Sequence, residues 1–363
     1  MNGEEHRARL LEAEDEAAAI ETLHQLGCTD GLPVLAPTEQ RVARLVLASG
    51  LDGDLDLGVM GPAYGATTVE KVCACAVMAG CLPDHMPVVI AAVRALLDPR
   101  LDLTELQATT FGTTPLVLVN GPARELCGVA SGFGALGPGP RANASIGRAL
   151  RLAMINLGGG RAGISDMALL GHGGKFTAVL GEDEEGSPWP PLHVARGCAR
   201  IDSAVTLVGV EAPHSVIFLP PGDDESMEQA AERLLATLAA ALAHPGSNNR
   251  ILRGGAAVVA LNPDHVRLLD LAGFERRSAA ERICELTTFP RAEMERWIPA
   301  LRGRGDDETA RLAAFRDPDD LLWVVAGGSG LYSAVFPSWC AGPHGNRAVT
   351  VSFDPAPSCE IPG

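Results

Sequence analysis

The sequence predicts an α/β protein of layered mixed sheets with helices, and it admits two similar βα halves. Three observations carry this. Short apolar, β-branched runs at 116–119, 205–210, 256–261, 322–326 and 348–353 alternate with helical stretches at 143–156, 227–243 and 264–272. The 363 residues are 47% hydrophobic, enough for a sizeable core. Two of the strand units also resemble each other. Residues 116–119 lead through Asn120-Gly121-Pro122 into 123–126, and 258–261 lead through Asn262-Pro263 into 264–267. Each reads strand, Asn, Pro, helix, with Pro where a first helical turn accepts it. Convergent loop chemistry and a diverged internal repeat both account for the likeness.

Residues 4–26 read as a helix, because Leu10, Ala13, Ala17, Ile20 and Leu23 recur at helical spacing until Gly27. Asp30-Gly31-Leu32-Pro33 makes a turn, and Pro37-Thr38-Glu39 opens a second helix through Val42, Leu45 and Val46. Thr67 and Glu70 stand at capping-box spacing ahead of a third, which runs to Pro83. A further helix passes through Val88, Ile90, Val93 and Leu96, and the alternating pattern follows. The expected organisation is a helical arm over 1–28, an α/β region with Gly-rich loops over 29–200, and a second α/β region over 201–363. The last boundary is soft.

No apolar run approaches the ~18 residues of a membrane span, and the N-terminus lacks a secretory layout. A formal charge of -16 repels phosphate backbones and anionic lipid. The expectation is a cytoplasmic enzyme with a small-molecule substrate, no nucleic-acid or membrane partner, and a homodimer contact through the N-terminal helix. The residues name no cofactor. Nine cysteines, an odd number with no paired CxxC, argue against a disulfide scaffold.

Of the 29 basic residues only Lys71 and Lys175 are lysines. Where other cations have drifted to Arg, a retained Lys marks a place for a compact ammonium of tunable pKa. Lys175 closes Gly171-His172-Gly173-Gly174-Lys175, a loop whose backbone can approach a ligand.

In open α/β sheets ligands bind beyond the carboxyl ends of strands. The residues there are Asn120, Glu211, His214, Asn262 and the Gly-rich loop holding Ser329. Residues 171–214 gather His172, Lys175, Glu182, His193 and His214, the raw material of acid–base catalysis. The same histidines offer a metal set, but no HExxH appears, and no metal ligand is assigned. Gly132–Gly137 spells GxGxxG, yet Pro138 and Pro140 follow where a dinucleotide site needs a helix. The helix from Asn143 carries Arg148 and Arg151, and its N-terminus could hold an anion. Cys81, beside Pro83 and His85, is the thiol best placed to act as a nucleophile, provided His85 lowers its pKa. A packed structural Cys is the competing reading.

Thr29-Asp30-Gly31-Leu32-Pro33-Val34 followed by Pro37-Thr38 is similar to the opening of a bacterial family. Its members accompany small redox-type proteins bearing a selenocysteine/cysteine-Gly-Ser-Cys motif. The resemblance runs on through Thr68–Lys71, Ala76–Cys81, Gly171–Lys175, Ser187-Pro188-Trp189, Pro191–His193 and Glu211–His214. It implies thiol-redox company, but this chain ends in Pro357-Ser358-Cys359 and has no Cys-Gly-Ser-Cys.

The expected function is catalysis on a small polar or anionic metabolite by a lyase, hydrolase or thiol-linked redox step. Cys81, Lys175, His172, His193, His214 and Glu211 are the expected catalytic groups. Lys71, Asn120, Arg148, Asn262 and Ser329 are expected to bind substrate. A metal-dependent hydrolase or lyase with His ligands, and a non-catalytic partner subunit or small-molecule-binding protein, are the rivals.

Overall fold

A computed structural model describes residues 8–303, 307 and 309–355. The first part of the chain forms α1 (Glu16–Gln25), α2 (Glu39–Ser49), β1 (Asp56–Met60), β2 (Gly65–Thr68), α3 (Val69–Met78), α4 (Met86–Leu96) and α5 (Leu103–Ala108). Then come β3 (Thr114–Asn120), α6 (Ala123–Leu126), α7 (Arg141–Asn156), β4 (Val179–Gly181), α8 (Leu192–Ala195) and β5 (Ser203–Val210). The remainder forms β6 (His214–Ile217), α9 (Met227–Leu242), β7 (Ala257–Leu261), α10 (Pro263–Leu271), α11 (Arg276–Leu286) and β8 (Thr288–Pro290). It ends with α12 (Arg291–Trp297), β9 (Arg311–Ala313), β10 (Leu321–Val325), β11 (Tyr332–Phe336) and β12 (Val349–Phe353).

Two four-stranded mixed sheets dominate, ordered β4-β3-β5-β12 and β10-β7-β11-β6. In each, the first pair is parallel and the other two are antiparallel. The two sheets therefore share one strand order and one pattern of directions. Their fourth strands are exchanged. β6 follows β5 along the chain but pairs with β11, while β12 follows β11 and pairs with β5. The regions 29–200 and 201–363 thus interlock, since β3 and β5 pair over seven residue pairs across position 200.

Alternation along the strands sets the layers. Leu116, Leu118, Val208 and Val210 of one sheet join Val258, Ala260, Leu322 and Val324 of the other in a single apolar cluster. The sheets therefore pack face to face. The intervening residues Val117, Val119, Val205 and Leu207 face α3, α4 and α7. Val259, Leu261, Trp323 and Val325 likewise face α9, α10 and α11. The result is helix, sheet, sheet, helix. Central strands buried on both faces explain why they read as unbroken apolar runs.

Local chemistry accounts for most element ends. Residues 8–15 are not helical; α1 starts only at Glu16, where Asp15 accepts from the Ala18 N–H. Residues 4–7 of the expected helix lie outside the described region. α1 turns Leu23 into its own chain's core. The cap of α3 is Thr68, one residue later than the spacing predicts, its hydroxyl accepting from the Lys71 N–H. Asn262 caps α10, its Oδ1 accepting from Asp264 and His265. Its counterpart Asn120 is not a cap. At Gly121, φ is +74° and a Cβ would stand 2.1 Å from the Asp202 carbonyl oxygen, so only glycine fits the turn.

Candidate functional site

A cavity of about 340 Å³ opens between the C-terminal half of α7, the turn after α1 and the glycine-rich loops at 158–176. Its polar lining is Thr29, Asp30, Arg151, Arg161, Asp166 and Lys175. The 29–34 motif and the 171–175 loop, more than a hundred residues apart, supply opposite walls. The site lies where β3 begins, at Thr114, and not where β3 ends. The rule for open parallel sheets does not transfer, because here each sheet is mixed and the α7 layer covers it.

The groups are held by short links. Lys175 Nζ donates to Asp166 Oδ1 at 2.9 Å and to the Thr113 carbonyl at 3.3 Å. Arg151 donates through Nε to the Lys175 carbonyl at 2.5 Å and through Nη2 to Thr114 Oγ1 at 3.2 Å. Its Nη1 stands 3.6 Å from Asp166 Oδ2. One carboxylate thus serves the buried Arg151 and the half-buried Lys175, and Arg161 adds a third cation on the wall. Asp30 is already matched, since Arg148 grips it in a fork at 2.7 and 2.8 Å. In a chain of net charge -16 this hollow gathers cations beyond its carboxylates.

Burial pushes the Lys175 pKa below the ordinary lysine range; the Asp166 bond opposes that and the nearby Arg151 charge adds to it. Burial also lowers the pKa of His172, helped by Lys175. That ring sits at the start of the Gly173–Lys175 turn, where Nδ1 accepts from the Gly174 N–H.

Other expected residues lie elsewhere. Arg148 spends its donors on Asp30, Leu32 and Pro33, so it props the wall without lining it. The N-terminus of α7 is remote from the cavity, which Arg151 and Ile155 face. Asn262 donates to the Gly330 and Tyr332 carbonyls, which completes a structural cap. Ser329 is exposed on the loop after β10. Lys71 Nζ donates to the Ala66 carbonyl at 3.2 Å, away from the lining residues.

Cys81 also lies outside the cavity. Its Sγ donates to the Ser145 carbonyl at 3.3 Å, and burial pushes its pKa up to about 12. His85 cannot activate it: burial holds that ring's pKa down to about 4, and its Nδ1 accepts from the Leu82 N–H. The physical picture is a packed thiol. Cys359 lies outside the described residues.

At the opposite sheet edge Asn120 donates to Glu182 at 2.6 Å and to Glu184 at 3.0 Å. His193 is fully buried there, its Nδ1 3.9 Å from Glu184. Glu182 also accepts from the Leu192 N–H at 2.7 Å and from Arg276 at 3.3 Å. Arg276 in turn caps the Pro190 and Trp323 carbonyls. This knot ties the two halves together.

Glu211 and His214 form a separate cluster with His244. None of the three lines the cavity.

No family model matches the chain, and no curated protein matches it. The functional reading therefore stands on geometry. Asp30, Arg151, Arg161, Asp166 and His244 were not among the expected site residues. Asp166 and His244 carry no motif; Asp30 and Arg151 lay inside segments the sequence does single out.

Proposed function

We propose that this protein is an enzyme acting on a small anionic metabolite, a carboxylate or phosphate ester, bound in the Arg151–Arg161–Lys175 cavity. The observation that carries the reading is the convergence of three cations, Arg151, Arg161 and Lys175, on one hollow in which Asp166 alone is shared between two of them. Arg151 and Arg161 would hold the anion, since guanidinium groups suit planar oxyanions. Lys175, its pKa lowered by burial and its proton shared with Asp166, would give or take a proton at the reacting atom. With no cysteine among the cavity's lining residues, a lyase or hydrolase step is favoured over thiol-linked redox chemistry. His172 acts beside the pocket as a neutral ring.

The test uses the full chain with a panel of small carboxylates and inorganic phosphate. At least one anion should raise Tm, and Arg151→Met should weaken its binding about tenfold to a hundredfold, the worth of about 1.5–3 kcal/mol for a charged hydrogen bond. Lys175→Arg should keep binding but lose conversion of the bound anion followed by NMR. Failure of every anion to bind would end the proposal.

Among the described residues no helix is long and apolar enough to cross a membrane. A cytoplasmic location and a homodimer remain part of the proposal. What supports the dimer is Leu10 and Leu11, exposed on the segment ahead of α1. Sedimentation of Leu10→Asp against the wild type checks it, with a monomeric variant expected.

A further inference from the structure

Glu211, His214 and His244 stand on three elements that the fold brings together. Glu211 follows the end of β5, His214 opens β6, and His244 lies just past α9. One donor atom from each falls within 4.8 Å of the others. All three residues are half-buried, which leaves a side open to solvent. The imidazoles of His214 and His244 lie nearly parallel, 5.5 Å between centroids.

Two details separate this cluster from an ordinary polar contact. His214 Nε2 and Glu211 Oε1 are 2.8 Å apart, yet Glu211 Oε1 is buried without an aligned hydrogen bond. His244 Nε2 is likewise buried with no partner. Buried polar atoms are nearly always satisfied, so an unpartnered His244 Nε2 in the same cluster as the Glu211–His214 pair calls for a missing partner. A cation is the partner that an oxygen lone pair and an imidazole nitrogen share. Two imidazoles and one carboxylate form the donor set of open zinc sites, in which a water takes the fourth position.

We propose that Glu211, His214 and His244 bind one divalent transition-metal ion, zinc by preference, with solvent as the fourth ligand. Ligand–metal distances of about 2.0–2.2 Å require donors a little over 3 Å apart, so the widest pair must close by roughly 1.5 Å. His244 follows the end of α9 in a His-Pro-Gly turn, where such a movement involves only loop backbone. The movement also breaks one contact. His244 Nδ1 now accepts from the Gly246 N–H at 3.2 Å, and ligation through Nε2 puts the proton on Nδ1 instead. The site is independent of the anion cavity: none of its three ligands lines that hollow, and either could exist without the other.

The test is made on the full, untagged chain stripped with chelator. Zn²⁺ titrated by calorimetry should bind at one ion per chain, and Co²⁺ should give the visible absorption of a four-coordinate site. His214→Ala and His244→Ala should each weaken Zn²⁺ binding at least a hundredfold, whereas Cys81→Ser should leave it unchanged. Zn²⁺ should also raise the wild-type Tm. The proposal is overturned if the stripped wild type takes up no stoichiometric Zn²⁺. It is equally overturned if folded His214→Ala and His244→Ala variants bind as tightly as the parent. Neither result depends on any anion binding near Lys175, so this site and the proposed function fail separately.

Discussion

Two histidines show how the interior decides what a side chain is. His85 and His265 are buried, and desolvation pushes both pKa values down to about 4. His265 accepts at Nδ1 from the Ser333 hydroxyl at 2.7 Å, and Ser333 accepts from the Asn262 N–H, so the ring is neutral. Each native pKa is below the unfolded value of about 6.5, so the unfolded chain binds more protons in between. Stability is then complete above pH ~6.5 and is lost as the pH falls toward 4. Thermal melts across that window should show Tm dropping, and His265→Asn, which keeps an acceptor for Ser333, should flatten the slope. An unchanged slope would show that the ring titrates normally. The same desolvation raises the Cys81 pKa to about 12. The sequence places a histidine four residues from that thiol but cannot say which way either points.

Between elements, a buried polar link joins Glu182 at the end of β4 to Arg276 at the start of α11. The Glu182 side chain has no exposure, and burial raises its pKa against the pull of Arg276. Removing one member of such a pair leaves a buried charge alone, which costs about 3–5 kcal/mol. Glu182→Gln should lower the urea-unfolding free energy by about 3 kcal/mol. Its effect on anion binding at the far edge should be small. A loss under about 1 kcal/mol would mean that Arg276 finds another acceptor. The acidic stretch 182–185 is exposed only in part: Glu182 is buried, while Glu185 pairs at the surface with Arg124 at 2.7 Å. Element types were otherwise legible. Runs rich in Val, Leu and Ala became β3, β5, β7, β10 and β12 within a residue or two. β1, β2, β4, β6, β8, β9 and β11 were not, because short segments without an unbroken apolar run carry too little periodicity and depend on partners to become strands.

At the scale of the molecule, the sheet β4-β3-β5-β12 takes two strands from each side of position 200, whereas β10-β7-β11-β6 lies wholly within 201–363. Fragment 1–200, expressed alone, keeps only β3 and β4 of its sheet and should show no cooperative melt, whereas the whole chain should unfold in one calorimetric transition. A fragment that melts cooperatively alone would contradict this. Val351→Pro, placed opposite Val205, should destabilise both sheets in that same single transition, since it breaks the pairing that closes the β5 edge.

The sequence by itself determined the α/β class, the repeated strand-Asn-Pro-helix unit and two of the segments that wall the cavity. These follow from local periodicity and turn chemistry, which act within a few residues. Tertiary structure alone decided that Asp30, Arg151, Asp166 and Lys175 meet, that His193 and Asn120 lie at the other end, and that His244 joins Glu211 and His214. Such meetings depend on strand register and sheet-on-sheet packing. Those are set by the burial of hundreds of apolar atoms at once, and no single motif records them.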